Sequence, residues 1–277
     1  DDVTFRYLAG FNRRNVDRRC RLNPSDRIDR TASLARTLIE RSTLTEPYFA
    51  QHLEKLEELE QSFDESRKVK GRSVVNPLHE MCVGLDYHGD ELFYPHCSFA
   101  QRKFINFLLK ERERRDGYFG FRIHAGEVLH YGEDAATAIH NAVLAANICK
   151  ILDQYEECWK FQHPDATDTH PPFSVPPPLR IGHGFGFLSY MKNLGQYSSQ
   201  EREVPESDPF KWLQAHIPRA LKQMQRLRIP IEVNPVSNQH VDSGQDFLRI
   251  CLESGFCAIV CTDNDGICPT DLGPHRL

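Results

Sequence analysis

Six short apolar segments, separated by stretches of helical periodicity, are the feature that most constrains the fold of this 277-residue chain. The segments are almost continuously apolar rather than alternating, as expected for strands that are buried on both faces. Helical stretches between such strands indicate parallel βαβ units. The predicted strands are Val3–Phe11, Met81–Asp86, Phe119–Ala125, Leu179–His183, Ile229–Asn234 and Cys257–Thr262.

The segments between the strands predict helices and two insertions. The predicted helices are Asp26–Arg41, Phe99–Arg115, Ala135–Leu152, Phe210–Leu227 and Ser243–Glu253. One insertion, near residues 44–70, contains an amphipathic helix over Glu46–Phe63, which either covers the core or binds a partner. The other, near residues 153–178, has the composition of an irregular loop over Tyr155–Pro178.

The alternation of strands and helices is compatible with two folds, an open doubly wound sheet and a closed barrel. No Gly-x-Gly-x-x-Gly motif follows a strand, so the sequence lacks the main sign of a dinucleotide-binding fold. Residues capable of chemistry instead follow four different strands, which is typical of a barrel with its active site at the carboxyl ends of the strands. We therefore expect an α/β fold, a (β/α)8 TIM barrel, as a single domain over residues 1–277.

Composition narrows the possible partners. The net charge of −5 gives no basic field for nucleic acid, and no apolar run approaches the roughly 18 residues of a membrane span. A small-molecule partner is expected, and the oligomeric state stays open. The cysteine count of nine is odd and includes no Cys-x-x-Cys pair, which favours reduced core thiols in a cytoplasmic protein and leaves a secreted protein as the alternative. The thiols expected in the core are Cys82, Cys251, Cys257 and Cys261.

The most informative motif is HAGE, directly after the third predicted strand. The imidazole of His124 can ligate a metal, and Glu127 can donate a proton if burial raises its pKa. A similar motif, RIGHG, follows the fourth strand and places His183 between two glycines, where a ligand could approach closely. Each motif also has a structural interpretation: a surface charge pair for His124 and Glu127, and a hydrogen-bonded core histidine for His183.

Polar turns follow the other predicted strands as well. Asp263, after the last strand, could supply a metal carboxylate or simply cap a turn. Gly89, within GLDYHGDE, would allow close backbone approach to a flat ligand. The turn of EVNPVSN, which begins at Asn234, is interpreted as structural capping.

The order of these motifs resembles the adenosine deaminase family, in which GLDYHGDE, HAGE, RIGHG, EVNPVSN and CTDND follow one another in this order. The resemblance covers roughly residues 3 to 268 and leans slightly toward the growth-factor-type adenosine deaminases. It implies a barrel of the metal-dependent hydrolase type, with one zinc ion per chain. The implied reaction is the hydrolytic deamination of adenosine, AMP or an N6-modified adenine nucleotide.

The resemblance also implies roles for individual residues. His124 and Asp263 would be zinc ligands, and Asp263 would also contact the attacking water. Glu127 would protonate purine N1, while His183 would orient the water that attacks C6. Gly89 would contact the purine through its backbone.

Three departures from the family pattern accompany the resemblance. The thirteen histidines include no His-x-His pair, so the two histidine ligands that the family carries on its first strand are absent. We expect an incomplete barrel of about six strands, without the first strands and the final helix. Asn264 stands where the family has an aspartate facing purine N7, and its amide keeps a donor for that acceptor. The alternatives are that the turn is shifted by one residue, so that Asp265 takes this role, or that the preferred base differs. A non-catalytic relative, acting as a binding or growth-factor-like protein, is the alternative.

Overall fold

The computed structural model of the protein describes residues 6–12, 47–68, 81–89, 97–126, 135–164, 177–184, 216–234 and 247–261. Within these ranges the chain forms a six-stranded parallel sheet in which the strands pair in chain order, with β1 and β6 at its two edges. The strands are β1 (Tyr7–Asn12), β2 (Cys82–His88), β3 (Gly120–Ala125), β4 (Leu179–His183), β5 (Ile231–Val233) and β6 (Ala258–Val260).

A helix lies between every two successive strands, which confirms the predicted α/β alternation. The helices are α1 (Pro47–Lys68), a 3-10 turn (Ser98–Ala100), α2 (Arg102–Arg114), α3 (Ala135–Gln162), α4 (His216–Arg226) and α5 (Phe247–Glu253). The predicted helix Asp26–Arg41 lies outside the described residues. None of the helices that the structure describes is both long and apolar enough to cross a membrane.

The two faces of the sheet differ in chemistry because successive side chains on a strand point to opposite faces. One set of alternating residues joins the helices in a continuous hydrophobic core, in which Phe99 of the 3-10 turn packs against Phe121 of β3 at a ring distance of 4.4 Å and against Tyr87 of β2 at 5.4 Å. The other set includes Asp86, Arg122, His124, Arg180 and Glu232. This second set, the polar face, carries the chemistry.

The first insertion forms the predicted amphipathic helix, which extends five residues past Phe63 to Lys68. Its apolar stripe is buried, with Phe49 and Phe63 at 3% exposure and Leu56 at 0%. Phe63 packs on Phe107 of α2, so the helix covers the core beside the sheet edge.

Three predictions on other parts of the chain are wrong in detail. Residues Tyr155–Gln162 are helical rather than irregular, because Tyr155 and Cys158 continue the buried stripe of α3. Strand β2 runs two residues beyond Asp86 to His88, because its pairing with β1 continues to that residue. Cys257 is exposed and Cys261 is half-buried, so these thiols are not in the core, whereas Cys82 and Cys251 are buried as expected.

Two glycines face each other across β2 and β3 and provide a test of the sheet packing. A methyl group on Gly84 would lie 2.2 Å from the carbonyl oxygen of Gly120, whereas a methyl group on Gly120 would meet nothing closer than 3.4 Å. Gly84→Ala is therefore expected to lower the free energy of unfolding by about 1–3 kcal/mol, the usual cost of overpacking. Gly120→Ala is the matched control and should cost much less. Urea denaturation of the two variants measures the difference, and equal losses would contradict this register.

Candidate functional site at the carboxyl edge of the sheet

Histidine side chains converge at the carboxyl ends of β3 and β4. The rings of His124 and His183 lie 5.4 Å apart and perpendicular to each other. The ring of His88, from the end of β2, lies 6.4 Å from that of His124. Three neighbouring strands therefore bring three imidazoles together at the carboxyl ends of the strands, which we call the carboxyl edge of the sheet. Of these, His124 and His183 are predicted site residues, whereas the sequence interpretation assigned no role to His88.

Glycines on adjacent strands make room for two of these rings. A methyl group at Gly182 of β4 would lie 2.6 Å from Cδ2 of His124, and one at Gly10 of β1 would lie 2.7 Å from Nε2 of His88. A side chain at either position would displace the ring beside it. Gly182, which precedes His183 in RIGHG, thus leaves room for the ring of His124 on the neighbouring strand β3.

His183 has an unusual backbone conformation. Its φ angle is +66°, a left-handed value that costs a non-glycine residue on the order of 1 kcal/mol. The following Gly184 has a φ of +65°, and its N–H donates to the carbonyl oxygen of Ala125 at 2.9 Å, which ties the end of β4 to the end of β3. The side chain of His183 is 1% exposed. Strained residues concentrate at functional sites, and His183 has this property.

Beneath the histidines, the polar face carries a network of ion pairs. Glu232 of β5 is 1% exposed and is contacted by two arginines. Arg122 donates from Nε to Oε2 of Glu232 at 2.7 Å, and Arg180 pairs with the other oxygen, Oε1. Arg122 also reaches Oδ2 of Asp86 at 3.4 Å. The buried charges are thus paired, as burial of ionised groups requires.

Asp86 connects this network to the histidines. Its Oδ1 lies 3.8 Å from Nε2 of His124, and within the described ranges this oxygen accepts no hydrogen bond. Burial raises the pKa of the Asp86 carboxyl, opposed by the charges of Arg122 and His88 and reinforced by that of Glu232. Oδ1 of Asp86 and Nε2 of His124 are therefore buried next to each other near the carboxyl ends of β2 and β3.

Of the other predicted site residues, the structure describes only Gly89. Gly89 directly follows β2 with a φ of +102°, and Gly126 follows His124 with a φ of +78°, so both turns require glycine. Glu127, Asp263 and Asn264 lie outside the described residues. In the part of the chain that the structure describes, no three His, Cys, Asp or Glu side chains are grouped closely enough to hold a metal ion.

Four residues of the site were missed in the sequence: Asp86, His88, Asn234 and Glu232. Charged residues in the middle of buried parallel strands were the available signal. Asp86, Arg122, Arg180 and Glu232 each interrupt an otherwise apolar strand, and a buried charge needs a partner of opposite sign on a neighbouring strand. Asn234, interpreted as a cap, is instead fully buried beside His183.

Comparisons with known proteins add no relative to this description. The chain matches no protein-family model, no curated protein and no solved structure.

The raised pKa of Asp86 predicts a pH-dependent stability difference between the wild type and Asp86→Asn, in which the charge is lost and an oxygen acceptor for Arg122 remains. Because the folded-state pKa lies above the ordinary value of 3.8, the folded state holds this proton more tightly than the unfolded chain. Raising the pH from about 4 through the folded-state pKa should therefore destabilise the wild type relative to the variant, and the difference should then level off. Urea denaturation across this range, with metal chelated, measures it. A difference that is independent of pH, or that favours the wild type as pH rises, would contradict the buried position of Asp86.

Proposed function

We propose that the protein catalyses the zinc-dependent hydrolytic deamination of adenosine, or of a related adenine nucleoside or nucleotide. In this reaction water replaces the amino group at purine C6, and inosine or the corresponding product leaves with ammonia. The observation that carries the proposal is the convergence of His124 and His183 at the carboxyl edge of a parallel sheet, with perpendicular rings 5.4 Å apart. His124 lies in HAGE and His183 lies in RIGHG, two of the motifs that resemble those of the adenosine deaminase family.

The strand order supports the finer part of the fold proposal, a (β/α)8 barrel. Doubly wound sheets reverse their strand order at a switch point, and the ligand binds there. The six strands described here pair in chain order without such a reversal, which is the order of strands in a barrel. The polar face would then line the interior, and the histidines would lie at the mouth where barrel enzymes have their active sites.

The donors at the carboxyl edge fit zinc in kind. Imidazole nitrogens and carboxylate oxygens are its usual ligands in catalytic sites, and the buried Oδ1 of Asp86 beside Nε2 of His124 provides one of each. Of these two residues, His124 is a proposed ligand, and the other proposed ligand is Asp263, which lies outside the described residues. When bound, zinc would supply a nucleophile at neutral pH by lowering the pKa of a coordinated water toward about 7.

The remaining roles belong to the chain itself. We assign to Glu127 the donation of a proton to purine N1, which makes C6 more electrophilic. His183, held by its strained backbone and by its buried position, would orient the water that attacks C6. The backbone at Gly89 would approach the purine ring, and the amide of Asn264 would donate to purine N7, as asparagine does to the N7 edge of adenine in DNA.

Two substitutions separate metal binding from proton donation. Asp263→Ala should lose both zinc and activity, because the residue is a proposed ligand. Glu127→Gln keeps size and polarity but cannot deliver a proton, so it should retain zinc while the rate falls by a factor on the order of 10² or more. His163→Ala, at an exposed position just beyond α3, is the matched control and should change neither. Zinc content by atomic absorption and the change in absorbance from adenosine to inosine are read on the same preparations.

Different outcomes test the role of Glu127 and the proposed function. If Glu127→Gln loses its zinc or keeps near-normal turnover, the role assigned to Glu127 is wrong. If the wild-type chain, supplied with zinc, does not deaminate adenosine or AMP, the proposed function fails and the non-catalytic alternative is favoured.

A further inference from the structure

We infer that Asn234 is a positioning residue that keeps the proton of neutral His183 on Nε2. The two residues end neighbouring parallel strands, Asn234 directly after β5 and His183 at the end of β4. The side-chain amide nitrogen Nδ2 of Asn234 lies 3.4 Å from Nδ1 of His183. The residues are 0% and 1% exposed, respectively, so water does not compete for this contact.

The chemistry of the two groups fixes the direction of the hydrogen bond. An amide nitrogen only donates, so Nδ1 of His183 must accept, and a neutral imidazole that accepts at Nδ1 carries its hydrogen on Nε2. Turning the amide over would place Oδ1 of Asn234 against Nδ1 and reverse the tautomer. It would also leave two buried N–H donors at the place where Oδ1 now lies without a partner among the described residues. Buried donors without partners are rarer than buried carbonyl oxygens without partners, which favours the orientation observed.

The backbone of His183 leaves the ring little freedom to escape this contact. Its φ of +66°, followed by +65° at Gly184, sets the direction in which the side chain leaves the strand. The ring of His124 lies perpendicular to that of His183, with the ring centroids 5.4 Å apart. The effect of Asn234 is therefore on which nitrogen of the ring carries the hydrogen.

The consequence for the reaction, which rests on the proposed function, is that His183 enters as a hydrogen-bond donor. With Nδ1 engaged by Asn234, the Nε2–H group is the one that the ring can direct at the attacking water. His183 would then stabilise negative charge on that oxygen rather than remove a proton from it. Asn234 would touch neither water nor purine and would act through His183 alone.

The test is a measurement of the tautomer by nitrogen-15 NMR on the full chain, without and with added zinc. Long-range proton–nitrogen correlations distinguish a protonated ring nitrogen from an unprotonated one, and the signals of His183 are identified by their loss in His183→Gln. The wild type at mildly alkaline pH should show a protonated Nε2 and an unprotonated Nδ1. Asn234→Asp replaces the donor with an acceptor and should move the hydrogen to Nδ1. Asn234→Ala, which introduces no buried charge, should give a mixture of both tautomers and serves if the aspartate variant does not fold.

A protonated Nδ1 in the wild type, or an unchanged tautomer in every Asn234 variant that folds, would overturn the inference. Neither the tautomer of the wild type nor its change in the Asn234 variants depends on catalytic activity. A wild type that shows the expected tautomer but deaminates no adenine nucleoside or nucleotide supports the role of Asn234 and contradicts the proposed function alone.

Discussion

The pairing of Glu232 with two arginines is the interaction on which the polar face depends. Glu232 lies on β5, next to the edge strand β6, at 1% exposure, where an unpaired carboxylate would cost several kcal/mol. Arg122 reaches it from β3, two strands away, and Arg180 reaches it from β4. Gly182 is the β4 residue paired with Glu232, and its lack of a side chain leaves space for the ring of His124 on β3. Because the charges are balanced, a parallel sheet can carry polar side chains on one face and still pack its helices on the other.

The same arrangement places the histidines. His124 follows Arg122 by two residues and so lies on the same face, one step nearer the carboxyl edge. Asp86 links the ion pairs to the ring of His124, while Gly182 and Gly10 leave room for the rings of His124 and His88. At β4 the strand ends in a left-handed residue, and this turn brings His183 beside His124 and Asn234. Pairing, small residues and one strained backbone position together determine the geometry of the site.

Much of this architecture was predictable from local patterns, and the rest depends on contacts that are distant in sequence. Continuous apolar runs predicted all six strands, and β4 has the predicted bounds, Leu179–His183. The helical continuation over Tyr155–Gln162 was missed because its composition is mixed, and burial of one stripe decided the conformation. His124 and His183 were predicted as site residues because each lies at the end of an apolar strand beside glycines. Asn234 was not recognised as a site residue because its partner is 51 positions away, and only the parallel pairing of β4 and β5 brings the two together.

We propose that the carboxyl edge of the sheet binds zinc through His124. Anomalous X-ray diffraction from crystals of the full chain grown with zinc, recorded on both sides of the zinc absorption edge, tests it most directly. The account predicts one strong anomalous peak within about 2.0–2.1 Å of a ring nitrogen of His124. A peak only at other histidines, such as His163 beyond α3, or no ordered zinc at the end of β3, would contradict the account.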